Sequence, residues 1–435
     1  MTKLVNKIHL PKVNPNRRGS AETELEQKAR KGLAERIAML KASQHGLSEK
    51  EYWSRLNHEL RAIKNAGIAE YFLIVADLVD YAREKKIPVG PGRGSAPGSL
   101  VAYSLGITKV DPVKWGLIFE RFFNLRARGM LDIDLDVCQK RRQEIVNYLI
   151  KKYGKARVAQ SKPARVIISD KPLTNYLPGD KAFLKAPVLA ESRREDIEKL
   201  GLAIIDLLGL KALTQISKCV KLIKRKRKKE INLEAIPLNE EKTYRLLSQG
   251  DTNGVFQMEG NQKKKMLKLM KPENLEQLTA VISLYRPEPL EAKVPELYLQ
   301  RKNSKEKSDY IHPVYDELLK DTYGLILYQE QVMWIANKLA GFSMNEADIF
   351  RKNLTGGELI NMDAPRIKFI KGCLRNQIPE HTAARVFRQI DIYGRYAFSK
   401  SHAICYALLA YQCAWLKANY PEEFKDCFLK NDVQQ

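Results

Sequence analysis

Three aspartates at every second position, Asp132, Asp134 and Asp136, alternate with Leu131, Ile133, Leu135 and Val137. A period of two is the mark of a β-strand, and in an extended strand the carboxylates share one face while the aliphatic residues line the other. Neighbouring like charges would then stand ~7 Å apart, so something must offset their repulsion. A divalent cation does so most simply. Mg²⁺ prefers carboxylate oxygens, takes one or two from the protein and completes its shell with water and substrate phosphates. The plainer alternative is a strand with a solvated acidic face, and the surrounding sequence has to decide between the two.

Upstream lies Val89-Gly-Pro-Gly-Arg-Gly-Ser-Ala-Pro-Gly-Ser-Leu-Val101, which gathers four glycines, Arg93, Ser95 and Ser99 ahead of an apolar stretch ending at Leu105. This reads as a turn opening a helix, where backbone N–H groups and the helix dipole can cradle phosphate. The spacing fits neither G-x-x-x-x-G-K-[ST] nor G-x-G-x-x-G. A glycine-rich turn can also be only a turn. Joined to the acidic strand, however, it forms the pairing that a two-metal phosphoryl transferase needs.

Gly90 to Leu105, Ile118-Phe-Glu-Arg-Phe-Phe-Asn124 and Met130 to Cys138 together resemble the palm of the bacterial family C replicative polymerases, the DNA polymerase III alpha subunits. The resemblance continues through Ala203-Ile-Ile-Asp206-Leu-Leu-Gly-Leu210, Gly254-Val-Phe-Gln-Met-Glu259, Tyr285-Arg-Pro-Glu-Pro-Leu290, the stretch from Tyr323 to Met333, and Phe398-Ser-Lys-Ser-His-Ala403. It implies a DNA-directed DNA polymerase acting on primer–template DNA and dNTPs. In that family's terms Asp132 and Asp134 would bridge two Mg²⁺ ions, and Asp206 would complete the site at the ion that activates the primer 3′-hydroxyl. Gly94 and Ser95 would cradle the triphosphate, with Arg121, Arg351 and Lys352 neutralising it. Asp136 would orient a ligand or an arginine.

The same resemblance exposes departures. Between Gly154 and Gly201 the family has a thumb subdomain, whereas here Val158-Ala-Gln160 passes almost directly to Lys162-Pro-Ala-Arg-Val-Ile-Ile-Ser169, which implies a deletion near 158–162. Ile204 stands where the family has a phosphate-contacting Lys, Glu288 replaces a glycine, and Lys352 replaces an arginine that could fork onto two oxygens. The family's phosphoesterase-like domain, clamp-binding segment and OB fold are not seen. The expected architecture is α+β: a nucleotidyltransferase-type palm with a mixed sheet over residues 1–210, and an all-helical fingers domain over 211–435.

The elements that must position these residues are mostly helices. Apolar spacing predicts amphipathic helices over 21–43, from Ser48 with Glu51 as its capping partner, over 60–83 as one continuous helix, and over 143–153. Asp111-Pro112 starts a helical turn carrying Trp115, Phe119 and Phe123. Leu202 to Leu208 reads as a short buried strand, and loops are expected at 250–254, 286–289, 303–309 and 356–357. Lys263, Lys264, Lys265, Lys268 and Lys271 form a basic stripe, with Met266, Leu267 and Met270 turned to the core.

Composition bounds the reading. The 435 residues carry 75 Lys plus Arg against 51 Asp plus Glu, a net charge of +24, which is the footprint of a polyanion binder. The run Lys221 to Lys229 adds to it, either as a solvated face or near DNA phosphate. No apolar stretch reaches membrane-spanning length and no signal-peptide pattern opens the chain, so a soluble cytoplasmic protein is expected. The six cysteines lack CxxC spacing and read as core thiols. Two rival functions stay open, a catalytically weak DNA-binding remnant and an untemplated nucleotidyltransferase. A large fingers domain argues against the second.

Overall fold

The computed structural model describes residues 8–43, 48–126, 131–161, 164–176, 194–304, 310–355 and 363–429. Its chain divides into two compact units, 1–217 and 218–435.

The first unit opens with α1 (Ala21–Ser43), α2 (Glu49–Ala66) and α3 (Ala69–Glu84). Helix α2 begins beside Ser48 as its spacing suggests, but the Ser48 side chain makes no capping hydrogen bond. The continuous helix expected over 60–83 is broken at Gly67. Its φ of 66° lets the backbone turn left-handed, so that its N–H satisfies the last carbonyls of α2. Two short helices follow, α4 (Leu100–Ser104) and α5 (Phe119–Phe122), then β1 (Leu135–Cys138), α6 (Arg142–Tyr153), β2 (Val158–Ser161), β3 (Arg165–Ile168), α7 (Arg194–Lys199), β4 (Ala203–Leu210) and α8 (Lys211–Arg227), which begins in the first unit and ends in the second. The turn expected from Asp111 does start there, with Asp111 Oδ1 accepting from the Val113 and Lys114 N–H groups and the Asp111 carbonyl accepting from the Trp115 N–H, while regular helix is confined to Phe119–Phe122.

Among the described residues the four strands form one mixed sheet in the order β1-β4-β3-β2. β1 runs parallel to β4, with Leu135 opposite Leu207, while β4 with β3 and β3 with β2 are antiparallel. Alternation along the strands decides which face each residue serves. Leu135, Val137, Val166, Ile168, Ala203, Ile205 and Leu207 enter the main core against α1 to α6. Ile167, Leu202 and Ile204 point the other way into a small cluster with Ala159, Leu173 and Ile197. Asp206 and Arg165 share that second face by the same alternation, as does Asp136 on β1.

The second unit is helical: α9 (Glu241–Ser248), α10 (Asn261–Met270), α11 (Leu275–Leu284), α12 (Pro287–Glu291), α13 (Val294–Asn303), α14 (Pro313–Leu319), α15 (Gln329–Ala340), α16 (Met344–Thr355), α17 (Asp363–Arg375), α18 (Glu380–Tyr393), α19 (Lys400–Asn419) and α20 (Pro421–Phe424). Helix α19 packs on α11 and is buried along most of its length. Phe342, Phe350, Phe369 and Phe387 stack between α15 and α18. The loop expected at 286–289 is instead the start of α12, because Pro287 sits at a first helical position, where a missing N–H costs nothing. Of the loop expected at 303–309, Asn303 closes α13 and 305–309 lie outside the described residues, as does the turn expected at 356–357. Met266, Leu267 and Met270 are buried on α10 as their spacing implies. All six cysteines are buried and none forms a disulfide, and no described helix is long and apolar enough to cross a membrane.

Candidate metal and nucleotide site

Asp132 and Asp134 lie on the extended segment that leads into β1, and regular strand pairing begins only at Leu135. Because Leu135 pairs with Leu207, one step back along both chains brings Asp134 beside Asp206. The side chains converge accordingly. Asp132, Asp134 and Asp206 each offer a carboxylate oxygen, and these oxygens all lie within 4.8 Å of one another. Three hard oxygen donors at that separation, partly buried, suit a divalent cation that keeps water or substrate in its remaining positions.

A buried phenol ties the two acidic segments together. Tyr71 on α3 donates its hydroxyl to the Ile204 carbonyl at 2.9 Å and accepts the Ile133 N–H at 3.1 Å. Ile133 stands between two of the aspartates and Ile204 two residues before the third, so one side chain fixes both backbones.

Asp136 does not join the cluster. It is 1% exposed, and its Oδ1 accepts from Arg93 Nη1 at 3.1 Å, while Arg93 Nε lies 3.6 Å from Asp134 Oδ2. Burial pushes the Asp136 carboxyl above its ordinary range, and Arg93 works against that rise. Asp136 thus holds an arginine that also faces a metal-ligand candidate.

The glycine-rich loop lies against the same carboxylates. Gly94 has a φ of +60°, and a Cβ there would stand 3.5 Å from Asp134 Oδ2. Gly94 and Ser95 are half-buried. The helix start just beyond is already occupied, however. The carboxylate of Glu59, fully buried on α2, accepts from Ser99 Oγ at 2.8 Å, Leu100 N at 2.9 Å and Val101 N at 3.0 Å. Arg55 neutralises Glu59 at 2.7 Å and anchors the Gly98 and Leu117 carbonyls. Phosphate cradling by the N-terminus of α4 is therefore ruled out, and only the turn around Gly94 and Ser95 is left for it. No local pattern foreshadows this, since Glu59 belongs to a different helix.

Arg121 is half-buried on α5. Arg351 and Lys352 belong to the second unit, on α16. Asp348, fully buried, pairs with both, at 2.7 Å from Arg351 Nη2 and 2.9 Å from Lys352 Nζ, and Gln329 accepts from Arg351 Nη1 at 3.2 Å. The start of α16 is fixed by a reciprocal capping box, in which Ser343 Oγ accepts from Glu346 N at 3.3 Å and Glu346 Oε2 accepts from Ser343 N at 3.0 Å. In the basic run, Lys226 and Arg227 are tied to Asp426 and Glu423 at 3.1 and 2.7 Å, so part of that charge anchors the C-terminal helices.

Two cations beside the carboxylates were not assigned a role by sequence reasoning. Arg93 could have been suspected from its place in the glycine-rich loop. Arg165 could not, because only strand order brings it to Asp206, where its Nε lies 3.5 Å from Oδ1.

Comparison with known proteins bears on the family. Residues 23–162 match the family model described as the bacterial DNA polymerase III alpha NTPase domain, and residues 212–377 match the alpha subunit finger domain. Curated proteins named DNA polymerase III subunit alpha align over most of the chain. The Caulobacter vibrioides protein is 37% identical, covering 94% of this chain and 42% of its own length. The Aquifex aeolicus protein is 34% identical, covering 95% and 44%, and that of Bacillus subtilis is 35% identical, covering 88% and 41%. The chain thus spans less than half the length of these relatives. By both its matched domains and its relatives, the chain belongs to the bacterial DNA polymerase III alpha subunit family.

Proposed function

We propose that this chain extends a DNA primer by templated nucleotidyl transfer from dNTPs. The observation that carries the reading is the convergence of Asp132, Asp134 and Asp206 within 4.8 Å, with the Gly94 turn against Asp134. Asp132 and Asp134 would bridge two Mg²⁺ ions, and Asp206 would hold only the one that serves the primer hydroxyl. Bound there, the ions lower the pKa of the 3′-hydroxyl and offset charge on the triphosphate. The chain's own groups orient and neutralise. Backbone N–H groups at Gly94 and Ser95 meet the β and γ phosphates, Asp136 keeps Arg93 directed at Asp134, and Arg121, Arg351 and Lys352 supply positive charge to the nucleotide.

A missing thumb is part of the same reading. The alignments with the Caulobacter and Aquifex proteins run over 489 and 520 residues, more than the 435 of this chain, so those relatives carry internal residues that it lacks. The deletion expected near 158–162 falls at the end of the first family match, 23–162, just ahead of the interval 163–211 that neither match covers.

Primer extension on a defined template with Mg²⁺ tests the proposal. Asp134→Asn removes extension and leaves duplex affinity little changed, because DNA is held by the basic surface. Extension that persists in Asp134→Asn overturns the metal-site assignment.

A further inference from the structure

Across the sheet, the charged residues of one face follow the strand order: Asp134 ahead of β1, Asp206 on β4, Arg165 on β3. Adjacent strands are ~4.8 Å apart, so Arg165 stands one spacing beyond Asp206 on the side away from Asp132 and Asp134. It is the direct cross-strand partner of Asp206. Ile204, two residues earlier on that face, is 2% exposed, and its side chain lies within the small apolar cluster with no polar group to offer.

The guanidinium is held loosely. Its Nε is buried and makes no hydrogen bond, and its recorded ion pair is the 3.5 Å approach to Asp206 Oδ1, longer than a charge-assisted hydrogen bond. Yet its side chain is 23% exposed, so it reaches solvent at the rim of the site. A cation beside a metal-ligand carboxylate weakens metal binding by repulsion, so charge balance around Asp206 calls for an additional anion.

We infer that Arg165 binds the backbone phosphate of the primer terminus, an inference that rests on the polymerase reading above. In that reading Asp206 would hold only the ion that serves the primer hydroxyl, while Asp132 and Asp134 would serve both ions. The group next outward from Asp206 therefore faces the primer strand and not the triphosphate. A planar guanidinium freed from a weak contact can fork onto two phosphodiester oxygens, supplying one of the grips on product DNA that a thumb would otherwise provide.

The test pairs Arg165→Ala and Arg165→Lys with a primer whose 3′-terminal internucleotide linkage is a neutral methylphosphonate. Primer–template affinity is read by anisotropy in EDTA and extension is read in Mg²⁺. A charge-assisted phosphate contact corresponds to about a 10- to 100-fold effect. Wild type loses that factor when the linkage is neutralised, Arg165→Ala loses it on the native primer and nothing further on the methylphosphonate, and Arg165→Lys falls between. If the two losses multiply, Arg165 does not touch that phosphate. A raised KM for dNTP with unchanged primer affinity assigns it to the triphosphate, and an altered Mg²⁺ requirement alone makes it only a counter-ion to Asp206. Either result overturns the inference. Absence of extension by wild type sinks the polymerase reading instead, while the coupling in EDTA still decides whether Arg165 grips the primer.

Discussion

Removing one oxygen from Tyr71 tests how the acidic segments are held. In Tyr71→Phe the ring still fills its 2%-exposed site, but the Ile133 N–H and the Ile204 carbonyl both lose a partner in a place water does not reach. An orphaned buried donor or acceptor costs about 1–3 kcal/mol. The carbonyl retains a second lone pair and suffers less than the amide, so a total near 2 kcal/mol is expected. That corresponds to about a 30-fold loss of protection if opening is local. Hydrogen exchange read by mass spectrometry on peptides covering 131–138 and 202–208 measures it directly. Both peptides should exchange faster in the variant while peptides from α1 and α6 stay as they were. In the polymerase reading kcat falls as well, by roughly 10-fold with little change in nucleotide KM, because slack enters the placement of the carboxylates. Unchanged exchange in both peptides would refute the claim that this phenol fixes the two backbones.

Three further expectations concern other parts of the molecule. Arg351→Ala raises the KM for nucleotide, and it costs about 3 kcal/mol in urea unfolding because the fully buried Asp348 loses its ion pair with Arg351; nucleotide dependence identical to wild type removes Arg351 from the site. The Glu346 carboxyl is pulled down to about 2, chiefly by the Ser343 hydroxyl and then by Lys368. Its folded-state pKa is depressed, so its stabilisation is fully present above the ordinary carboxylate range and fades as pH falls toward about 2. Glu346→Gln should therefore cost about 0.5–1 kcal/mol near neutrality and progressively less in acid, and a cost independent of pH contradicts the capping role. Duplex affinity should fall linearly with salt on logarithmic axes, by ~0.9 for each phosphate neutralised, and products from trap-challenged extension should stay short; long products at high salt would mean that another element grips the duplex.

What could be read from the sequence is what depends on local period. The alternation at 131–137 gave the acidic face, and helical spacing gave α1 to its ends and the buried methionines of α10. Local signals also misled. Ser48 looked like a cap and makes no capping bond, while the capping box at Ser343 and Glu346 went unnoticed ahead of a helix carrying two proposed nucleotide contacts. Gly67 marked a helix end inside a stretch apolar enough to look continuous. The features hidden altogether are those made by distant partners. Glu59 reaches the start of α4 from another helix, Tyr71 bridges segments that no local pattern connects, and Arg165 meets Asp206 only through strand order. No periodicity encodes such contacts, because each is a property of the packed fold.

The parallel pairing of β1 with β4 also bears on how the fold forms and how it tolerates change. Leu135 meets Leu207 only after everything between them, including the hairpin of β2 and β3, has been brought round. Contacts this far apart in sequence tend to form late and slow folding, so the carboxylates come together near the end of the process, when packing already resists their repulsion. The closure entropy of such a connection grows only with the logarithm of its length, and doubling it costs about 0.6 kcal/mol. A subdomain inserted between the strands, or removed from there, thus changes the stability of the sheet far less than its size suggests. The strands that carry the acids can remain paired while evolution lengthens or shortens what lies between them.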